Sequence, residues 1–213
     1  MVMNFTAVIP VKRLGAAKSR LRGAVPDDRH AELALAMVRD TVSAVLACDR
    51  VGELLVVTDD PAAVAQVTAL GARAVPDRPD AGLNAAMRHG ADEVAGLGRN
   101  RVVLAGDLPG LRAAELSAAL HAVRVRSYVP DAEGSGTVLL AAPAGVPLDP
   151  RFGVGSAAAH AASGALALTG DWPGLSHDVD TEADLRGVLS LGAGAYTCAL
   201  LHAVGRFSCR PAA

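Results

Sequence analysis

The stretch Arg101-Val-Val-Leu-Ala-Gly-Asp-Leu-Pro109 decides the fold class of this chain. Its apolar run is short and ends at a glycine, as expected of a strand that is buried on both faces of a parallel sheet. Asp107 follows at the carboxyl end of that strand, and ligands of open α/β sheets bind at this edge. The stretch therefore predicts a parallel sheet with a polar site beyond the end of this strand.

Strand and helix patterns alternate along the first half of the chain. Short apolar runs between turn residues predict further strands at 6–11, 54–58 and 72–75. Helical patterns separate these runs, over residues 28–48, 61–70 and 83–97. This alternation predicts an α/β fold with three layers, α/β/α, and a mostly parallel sheet.

Beyond Asp107 the pattern becomes antiparallel. A helix over 112–124 leads to two apolar runs, Ser127–Pro130 and Thr137–Ala142, which are separated by a turn-rich segment. Two such runs joined by a turn predict a small antiparallel excursion added to the parallel sheet.

Two helices are expected in the last third of the chain. One begins at Ser156, and the other follows Asp180 or Thr181, either of which can cap it. Gly187–Gly205 contains no Asp, Glu, Lys or Arg, but it is too interrupted for a membrane span of about 20 apolar residues. We expect a buried helix followed by a core strand there. Since no linker or repeat divides the chain, residues 1–213 are expected to form a single domain.

The composition predicts a cytoplasmic globular protein. The net charge is −2, and the N-terminus lacks the charged start, apolar run and cleavage site of a signal peptide. Three cysteines, Cys48, Cys198 and Cys209, have no metal spacing, and their odd number favours reduced thiols over a disulfide framework. Five histidines also lack metal spacing and are interpreted as structural or surface residues: His89, His121, His160, His177 and His202.

The basic residues near the N-terminus are distinctive. Lys12 and Lys18 are the only lysines among twenty basic side chains, and a lysine suits a position that needs a compact point charge rather than a planar guanidinium. Residues 1–26 contain no acid, and Arg20 is among their basic residues. That local field suits a polyanion such as a nucleotide triphosphate, while the plainer alternative is a solvated basic loop.

Further carboxylates are predicted to meet Asp107 at the same edge of the sheet. The acidic stretch His177-Asp-Val-Asp-Thr-Glu-Ala-Asp184 can bring Asp178 or Asp180 there, and the residues alone do not decide between the two. Mg²⁺ is typically held by one or two carboxylates together with phosphate oxygens. Each acid taken singly is more often a helix cap or a paired surface acid. Taken together with the basic N-terminal loop, the acids predict a Mg²⁺ site beside a triphosphate.

Five motifs, in this order, resemble one family of nucleotidyltransferases: Pro10-Val-Lys with Ala17-Lys-Ser-Arg-Leu21, Asp77-Arg-Pro-Asp-Ala-Gly-Leu-Asn-Ala-Ala86, Gly106-Asp-Leu-Pro109, Arg151-Phe-Gly-Val-Gly-Ser156 and Asp178-Val-Asp-Thr181. These are the guanylyltransferases that activate 2-phospho-L-lactate or phosphoenolpyruvate in making the deazaflavin coenzyme F-420. The resemblance implies a GT-A-like, Rossmann-related fold, GTP as donor, Mg²⁺ as cofactor and pyrophosphate as second product. The arginine- and alanine-rich composition is typical of a GC-rich genome and, by association, favours phosphoenolpyruvate as the acceptor.

The resemblance also implies roles for single residues around the metal and the acceptor. It places Asp107 and Asp178 as metal ligands, and Thr137, Gly153 and Ser156 around the acceptor's phosphate and carboxylate. The residues themselves agree about Ser156, because the N–H groups and dipole at the start of a helix make an anion site. Taken by itself, Ser156 is better explained as an ordinary serine N-cap.

Four residues are expected on the nucleotide side. Lys12, Lys18 and Arg20 would neutralise the triphosphate, with Lys18 also counted as catalytic. Asn84 would contact the base or ribose of GTP, unless it caps the helix that follows. The reaction implied by the resemblance is attack of the acceptor's phosphate on the α-phosphorus of GTP. We expect it to need no general base, because the second pKa of a phosphate monoester lies near 6.

Three other functions remain open. A MobA-like or sugar-phosphate nucleotidyltransferase would share Gly106–Pro109 but should begin with a Gly-x-Gly-x-Arg motif, which Pro10–Gly15 lacks. A P-loop NTPase or kinase is suggested by Gly15–Ser19, yet Ala17 stands where glycine is required. A non-catalytic nucleotide-binding module could keep the basic loop but would not need both Asp107 and Asp178. We expect GTP and the acceptor as partners, with no nucleic acid and no membrane, and leave a homodimer open.

Overall fold

The computed structural model describes residues 4–16, 21, 23–78 and 80–209. Seven strands of this part of the chain form one sheet, in the order β3-β2-β1-β4-β6-β5-β7. In chain order they are β1 Phe5–Pro10, β2 Val51–Val57, β3 Arg73–Val75, β4 Asn100–Leu104, β5 Ser127–Pro130, β6 Thr137–Ala142 and β7 Leu166–Ala167.

The first four strands run parallel, as predicted. β1 pairs with both β2 and β4, and β2 pairs with β3. β6 runs antiparallel between β4 and β5, which confirms the antiparallel excursion. The sequence does not predict β7, which pairs parallel to β5, because its two exposed residues carry no strand pattern.

Eight α-helices lie within the described residues: α1 His30–Leu46, α2 Pro61–Leu70, α3 Leu83–Arg88, α4 Ala113–Ala122, α5 Ser156–Ala162, α6 Pro173–Ser176, α7 Glu182–Leu191 and α8 Ala195–Ala203. α3 continues directly as a π-helix over His89–Gly96. The helix predicted over 83–97 therefore exists, but its second half is more loosely wound than an α-helix.

Alternate side chains of the central strands enter two separate cores. Phe5, Ala7 and Ile9 of β1 share a core with side chains of α1, α2 and α4. Val8 faces the other way, into a core with side chains of α3 and α5. Because strand side chains alternate between the two faces of a sheet, this arrangement confirms the predicted three layers.

A third core lies on the outer face of α1. Leu33 and Met37 of that helix join Leu185 and Val188 of α7 and Leu201 of α8. The last part of the chain thus adds a partial layer of helices outside the sandwich, and α1 is buried on two faces.

The segment Gly187–Gly205 differs from its prediction. α7 ends at Leu191, and a second helix beginning at Ala195 stands where a core strand was expected. Asp40 of α1 caps this helix by accepting hydrogen bonds from the N–H of Tyr196 and of the next residue, at 3.0 and 2.8 Å. A cap supplied from so far along the chain leaves no local pattern. Among the described residues, no helix is long and apolar enough to cross a membrane.

The cysteines also differ from their prediction. Cys198 of α8 and Cys209 form a disulfide, with their Cα atoms 5.2 Å apart, whereas Cys48 is buried and has a free thiol. The expectation of three reduced thiols is therefore wrong for the pair. An odd count of cysteines could not reveal that the chain after α8 folds back onto that helix.

Candidate active site

Asp107 lies just beyond the carboxyl end of β4, as predicted. Its loop is held from α1, because the Thr41 hydroxyl accepts a hydrogen bond from the Leu108 N–H at 3.0 Å. The preceding Gly106 packs closely against β1, where an added Cβ would lie 3.1 Å from a side chain of that strand. Helix and sheet together fix the position of Asp107.

The acidic stretch before α7 reaches the same place. The Val179 N–H donates to the carbonyl oxygen of Asp107 at 3.1 Å, and the Val179 side chain is buried in the third core. At the start of α7, Thr181 and Asp184 form a capping box, which fixes the turn that follows Asp180. Of the two caps that the sequence allows, the structure uses Thr181.

Asp107, Asp178 and Asp180 form a cluster in which each side chain offers a carboxylate oxygen within 4.8 Å of the others. Asp107 and Asp178 are partly buried, and Asp180 is exposed. The structure therefore brings both candidate partners of Asp107 to the site instead of choosing between them. Oxygen donors of this kind fit a hard divalent cation, so the cluster could hold a metal ion.

A cavity of about 670 Å³ opens at this edge of the sheet, a size usual for small-molecule sites. The acidic cluster forms part of its wall, together with the turn before β6 and the loop before α5. Six of the predicted site residues line it: Lys12, Asp107, Thr137, Gly153, Ser156 and Asp178.

The basic loop after β1 is anchored at its beginning. Lys12 is exposed and lines the cavity. Two residues further on, the Leu14 N–H donates to a carboxylate oxygen of Asp60 at 2.9 Å, and Asp60 also caps α2. Lys18 and Arg20 lie outside the described residues, and their contacts with a triphosphate remain predictions.

The start of α5 corrects one expectation. Ser156 is the first residue of the helix, and the N-cap is Gly155, so Ser156 is not an N-cap serine. The N–H of Ser156 donates to the Gly153 carbonyl, and that of Ala157 donates to the Ser135 carbonyl, at 3.1 and 3.2 Å. Because these two N–H groups bind within the protein, they are not available to an anion. Ser156 still lines the cavity.

The structure gives Asn84 a contact that the sequence does not predict. Its amide nitrogen donates to the Phe152 carbonyl at 2.9 Å, and its amide oxygen accepts from the Phe152 N–H at 2.7 Å. Asn84 does not cap α3, whose N-cap is Gly82, and Leu83 and Met87 form the cavity wall on this helix. Contact between Asn84 and GTP remains a prediction.

Sequence reasoning recognised His160 as structural but missed its place beside the site. His160 is fully buried, and one ring nitrogen lies 2.9 Å from Thr137 Oγ1. Burial lowers the pKa of His160 to about 4, an effect that Asp149 opposes and that Arg126 and Arg151 reinforce. An isolated histidine in an alanine-rich helix carries no sequence signal of this kind.

Asp131 is a second residue that sequence reasoning missed. Its carboxylate accepts hydrogen bonds from the N–H groups of Ser135 and Gly136, at 2.9 and 2.8 Å, and so closes the turn before β6. An acid followed by glycine and serine within a turn is the signal that could have identified it.

Comparison with known proteins decides the family. The model of the family described as "Guanylyl transferase CofC like" matches residues 5–212. The chain belongs to this family.

The membership confirms the resemblance inferred from the five motifs. A phosphoenolpyruvate guanylyltransferase of Salinispora arenicola is 62% identical over 204 residues, which cover 94% of each chain. Another protein of that name, from Geodermatophilus obscurus, is 54% identical over 212 residues, covering 96% of this chain and 97% of the relative.

Solved structures confirm the fold of this CofC-like chain. A nucleotidyl transferase from Methanothermobacter aligns with a TM-score of 0.63 at 19% identity, covering 88% of this chain and 97% of that one. CMP:2-keto-3-deoxy-manno-octonic acid synthetase aligns with a TM-score of 0.56 at 18% identity, covering 88% and 98%. At such identities the likeness shows the GT-A-like, Rossmann-related fold alone, and it contradicts the P-loop alternative.

Proposed function

We propose that this protein transfers GMP from GTP to phosphoenolpyruvate and releases pyrophosphate, as a step in coenzyme F-420 synthesis. The observation that carries the proposal is the composition of a single cavity. Its wall holds a three-carboxylate cluster and Lys12, and also the polar residues Thr137 and Ser156. These groups suit a metal-bound triphosphate and a small anionic acceptor in a chain of the guanylyl transferase family.

Mg²⁺ is the cofactor that the acidic cluster fits best. Asp107 and Asp178 would hold it, and the placement of Asp180 adds a third carboxylate within reach. Mg²⁺ usually takes one or two protein carboxylates and completes its shell with phosphate oxygens and water. When bound, the ion supplies positive charge to the triphosphate and to the pyrophosphate that leaves.

The reaction needs positioning more than proton transfer. An oxygen of the acceptor's phosphate forms a bond to the α-phosphorus of GTP, while the bond from that phosphorus to the bridging oxygen breaks and leaves its electron pair on pyrophosphate. The attacking oxygen is already ionised near neutral pH, because the second pKa of a phosphate monoester is about 6. Lys12, with Lys18 and Arg20, would neutralise charge on the triphosphate.

On the acceptor side, Thr137, Gly153 and Ser156 are proposed to bind the phosphate and carboxylate. Gly153 has a φ of +136°, and nothing lies within 4 Å of the place that its Cβ would occupy. A side chain there would have room but would strain the backbone. Phosphoenolpyruvate is favoured over 2-phospho-L-lactate because relatives at 62% and 54% identity bear its name.

Pyrophosphate release tests the proposal directly. Pure protein with GTP and Mg²⁺ should release pyrophosphate when phosphoenolpyruvate is added, and faster than with 2-phospho-L-lactate or a sugar 1-phosphate. Asp107→Asn and Asp178→Asn should each remove nearly all turnover, since each deletes a charge from the cluster. Asp171→Asn, at an exposed acid, is the matched control and should leave the rate unchanged.

Several outcomes would change the proposal. Preference for sugar 1-phosphates would contradict the acceptor assignment, and GTP binding without pyrophosphate release would favour a non-catalytic module. If Asp180→Asn is the most damaging of the three changes, Asp180 rather than Asp178 is the principal ligand. The cytoplasmic location and the homodimer stay predictions, and sedimentation of the purified protein measures the oligomeric state.

A further inference from the structure

Both ring nitrogens of the buried His160 are hydrogen bonded behind the acceptor side of the cavity. Nε2 lies 2.9 Å from the Arg151 N–H, and Nδ1 lies 2.9 Å from Thr137 Oγ1. The ring packs against Tyr128 and Phe152, with ring centroids at 5.7 and 5.1 Å. The histidine therefore has a fixed place and orientation.

The contact with the backbone decides where the proton of His160 sits. The N–H of Arg151 can only donate, so Nε2 must accept and therefore carries no hydrogen. A neutral imidazole with Nε2 free of hydrogen carries its proton on Nδ1. Nδ1 therefore carries the hydrogen that faces both Thr137 Oγ1, at 2.9 Å, and the Ser156 carbonyl. Because a protonated Nδ1 cannot accept, Thr137 Oγ1 acts as the acceptor in its contact with the ring.

The consequence falls on the hydroxyl hydrogen of Thr137. Because the oxygen accepts from His160, its own hydrogen is directed away from the ring, and Thr137 lines the cavity. With the other tautomer, Thr137 would instead donate to His160 and turn its lone pairs toward the ligand. An anionic acceptor would be attracted in the first arrangement and repelled in the second.

We propose that His160 is a positioning residue that keeps the Thr137 hydroxyl as a hydrogen-bond donor toward the carboxylate or phosphate of the acceptor. The inference rests on the proposed function, because it concerns the same acceptor site. The second contact of His160, with the N–H of Arg151, lies at the start of the loop of Gly153. That loop is also held by two hydrogen bonds between Asn84 and Phe152, so it keeps these when the contact with Arg151 is lost.

Two substitutions separate the two contacts of the ring. His160→Asn places an amide N–H near the position of Nδ1, so it can still donate to Thr137 but loses the contact with Arg151. His160→Gln reaches the position of Nε2 with an oxygen that can accept from Arg151, but it loses the donor to Thr137. Steady-state pyrophosphate release gives KM for phosphoenolpyruvate and for GTP in each protein.

The acceptor KM should discriminate between the variants. A lost hydrogen bond to a charged group predicts a rise of roughly tenfold or more in the phosphoenolpyruvate KM of His160→Gln. His160→Asn should stay nearer to wild type, and the GTP KM should change little in both. Equal rises in the two variants, or rises in both substrates' KM, would overturn the proposal.

A double-mutant cycle gives a second test. Thr137→Val removes the hydroxyl, so adding His160→Gln to it should raise the phosphoenolpyruvate KM no further. If the fold-rises in the phosphoenolpyruvate KM of the two single variants multiply in the double variant, His160 acts independently of the Thr137 hydroxyl, and the proposal is overturned.

The tautomer can be measured in the wild-type protein, which covers the case of variants that do not fold. Nitrogen-15 NMR of the labelled histidines should show His160 protonated at Nδ1, and protonation at Nε2 would overturn the inference. Wild-type protein that fails to turn over phosphoenolpyruvate would contradict the proposed function instead, while the NMR result would still decide how Thr137 is oriented.

Discussion

Replacing Thr41 by valine tests whether α1 holds the edge of the sheet that carries the proposed metal site. Thr41 is fully buried, its hydroxyl donates to the Met37 carbonyl at 2.9 Å, and it accepts from the Leu108 N–H at 3.0 Å. The same oxygen lies 3.4 Å from the Gly106 carbonyl. Thr41→Val keeps the shape of the side chain and removes the group that joins α1 to both neighbours of Asp107.

The loss of stability follows from the buried Leu108 N–H, which would have no acceptor. An unsatisfied buried donor costs about 1–3 kcal/mol, and a chain of this size loses about 2–4 °C of Tm per kcal/mol. The carbonyl of Asp107 also binds the Val179 N–H, so movement of the loop reaches Asp178. Loss of a group that orients metal ligands typically weakens metal binding about 10–100-fold.

Urea unfolding and a Mg²⁺ titration of pyrophosphate release measure the two effects. Thr41→Val should unfold at lower urea and need at least about tenfold more Mg²⁺ for half-maximal rate. Thr41→Ser, which keeps the hydroxyl, is the matched control and should need as much Mg²⁺ as wild type. If Thr41→Val is less stable but has an unchanged Mg²⁺ requirement, other contacts hold Asp107, and the reasoning is refuted.

Three further predictions use other parts of the molecule. Lys12→Arg should raise the GTP KM or lower kcat, since a guanidinium does not reproduce an ammonium, and Lys12→Gln should do so more strongly; wild-type kinetics in both would mean that Lys12 is a solvated surface charge. Burial lowers the pKa of His160 to about 4, whereas the pKa of a histidine in the unfolded chain is about 6.5. The contribution of the neutral ring to the free energy of unfolding is therefore complete above about pH 6.5. It is lost as the pH falls toward about 4, because protons then bind preferentially to the unfolded chain. That loss is about 3 kcal/mol by urea unfolding, and a pH dependence unchanged in His160→Asn would contradict it. Reduction of the Cys198–Cys209 disulfide, which spans 11 residues, should lower the free energy of unfolding by about 3 kcal/mol. Cys48→Ser should lose as much stability on reduction as wild type does. Stability that does not change with reductant would argue against the disulfide.

The parallel half of the sheet could be predicted because its information is local. Each run in β1, β2 and β4 is apolar on both faces, since both faces are covered by helices, and a turn ends each run. Asp107 could be placed for the same reason, because it directly follows its strand. Predictions of this kind need only the residues within one element.

The end of the chain could not be predicted in the same way. α8 depends on the cap from Asp40, which lies on another helix, and the disulfide depends on the return of the chain to Cys198. The start of α5 shows the same limit at the site itself. A serine after two glycines predicts a free helix end, but the Ser135 carbonyl, more than twenty residues earlier, accepts from Ala157.

The loop before α5 shows what this limit means for function. A glycine-rich loop has little conformational preference of its own, so a motif such as Phe152-Gly-Val-Gly155 can suggest where a ligand binds but not what holds the loop there. In the structure, Asn84 fastens Phe152 through both groups of its amide, and His160 holds the preceding N–H. Asn84 belongs to α3, whose neighbouring side chains Leu83 and Met87 also form the cavity wall. The loop proposed to bind the acceptor is thus tied to this helix, so a displacement of α3 would be transmitted to the acceptor site.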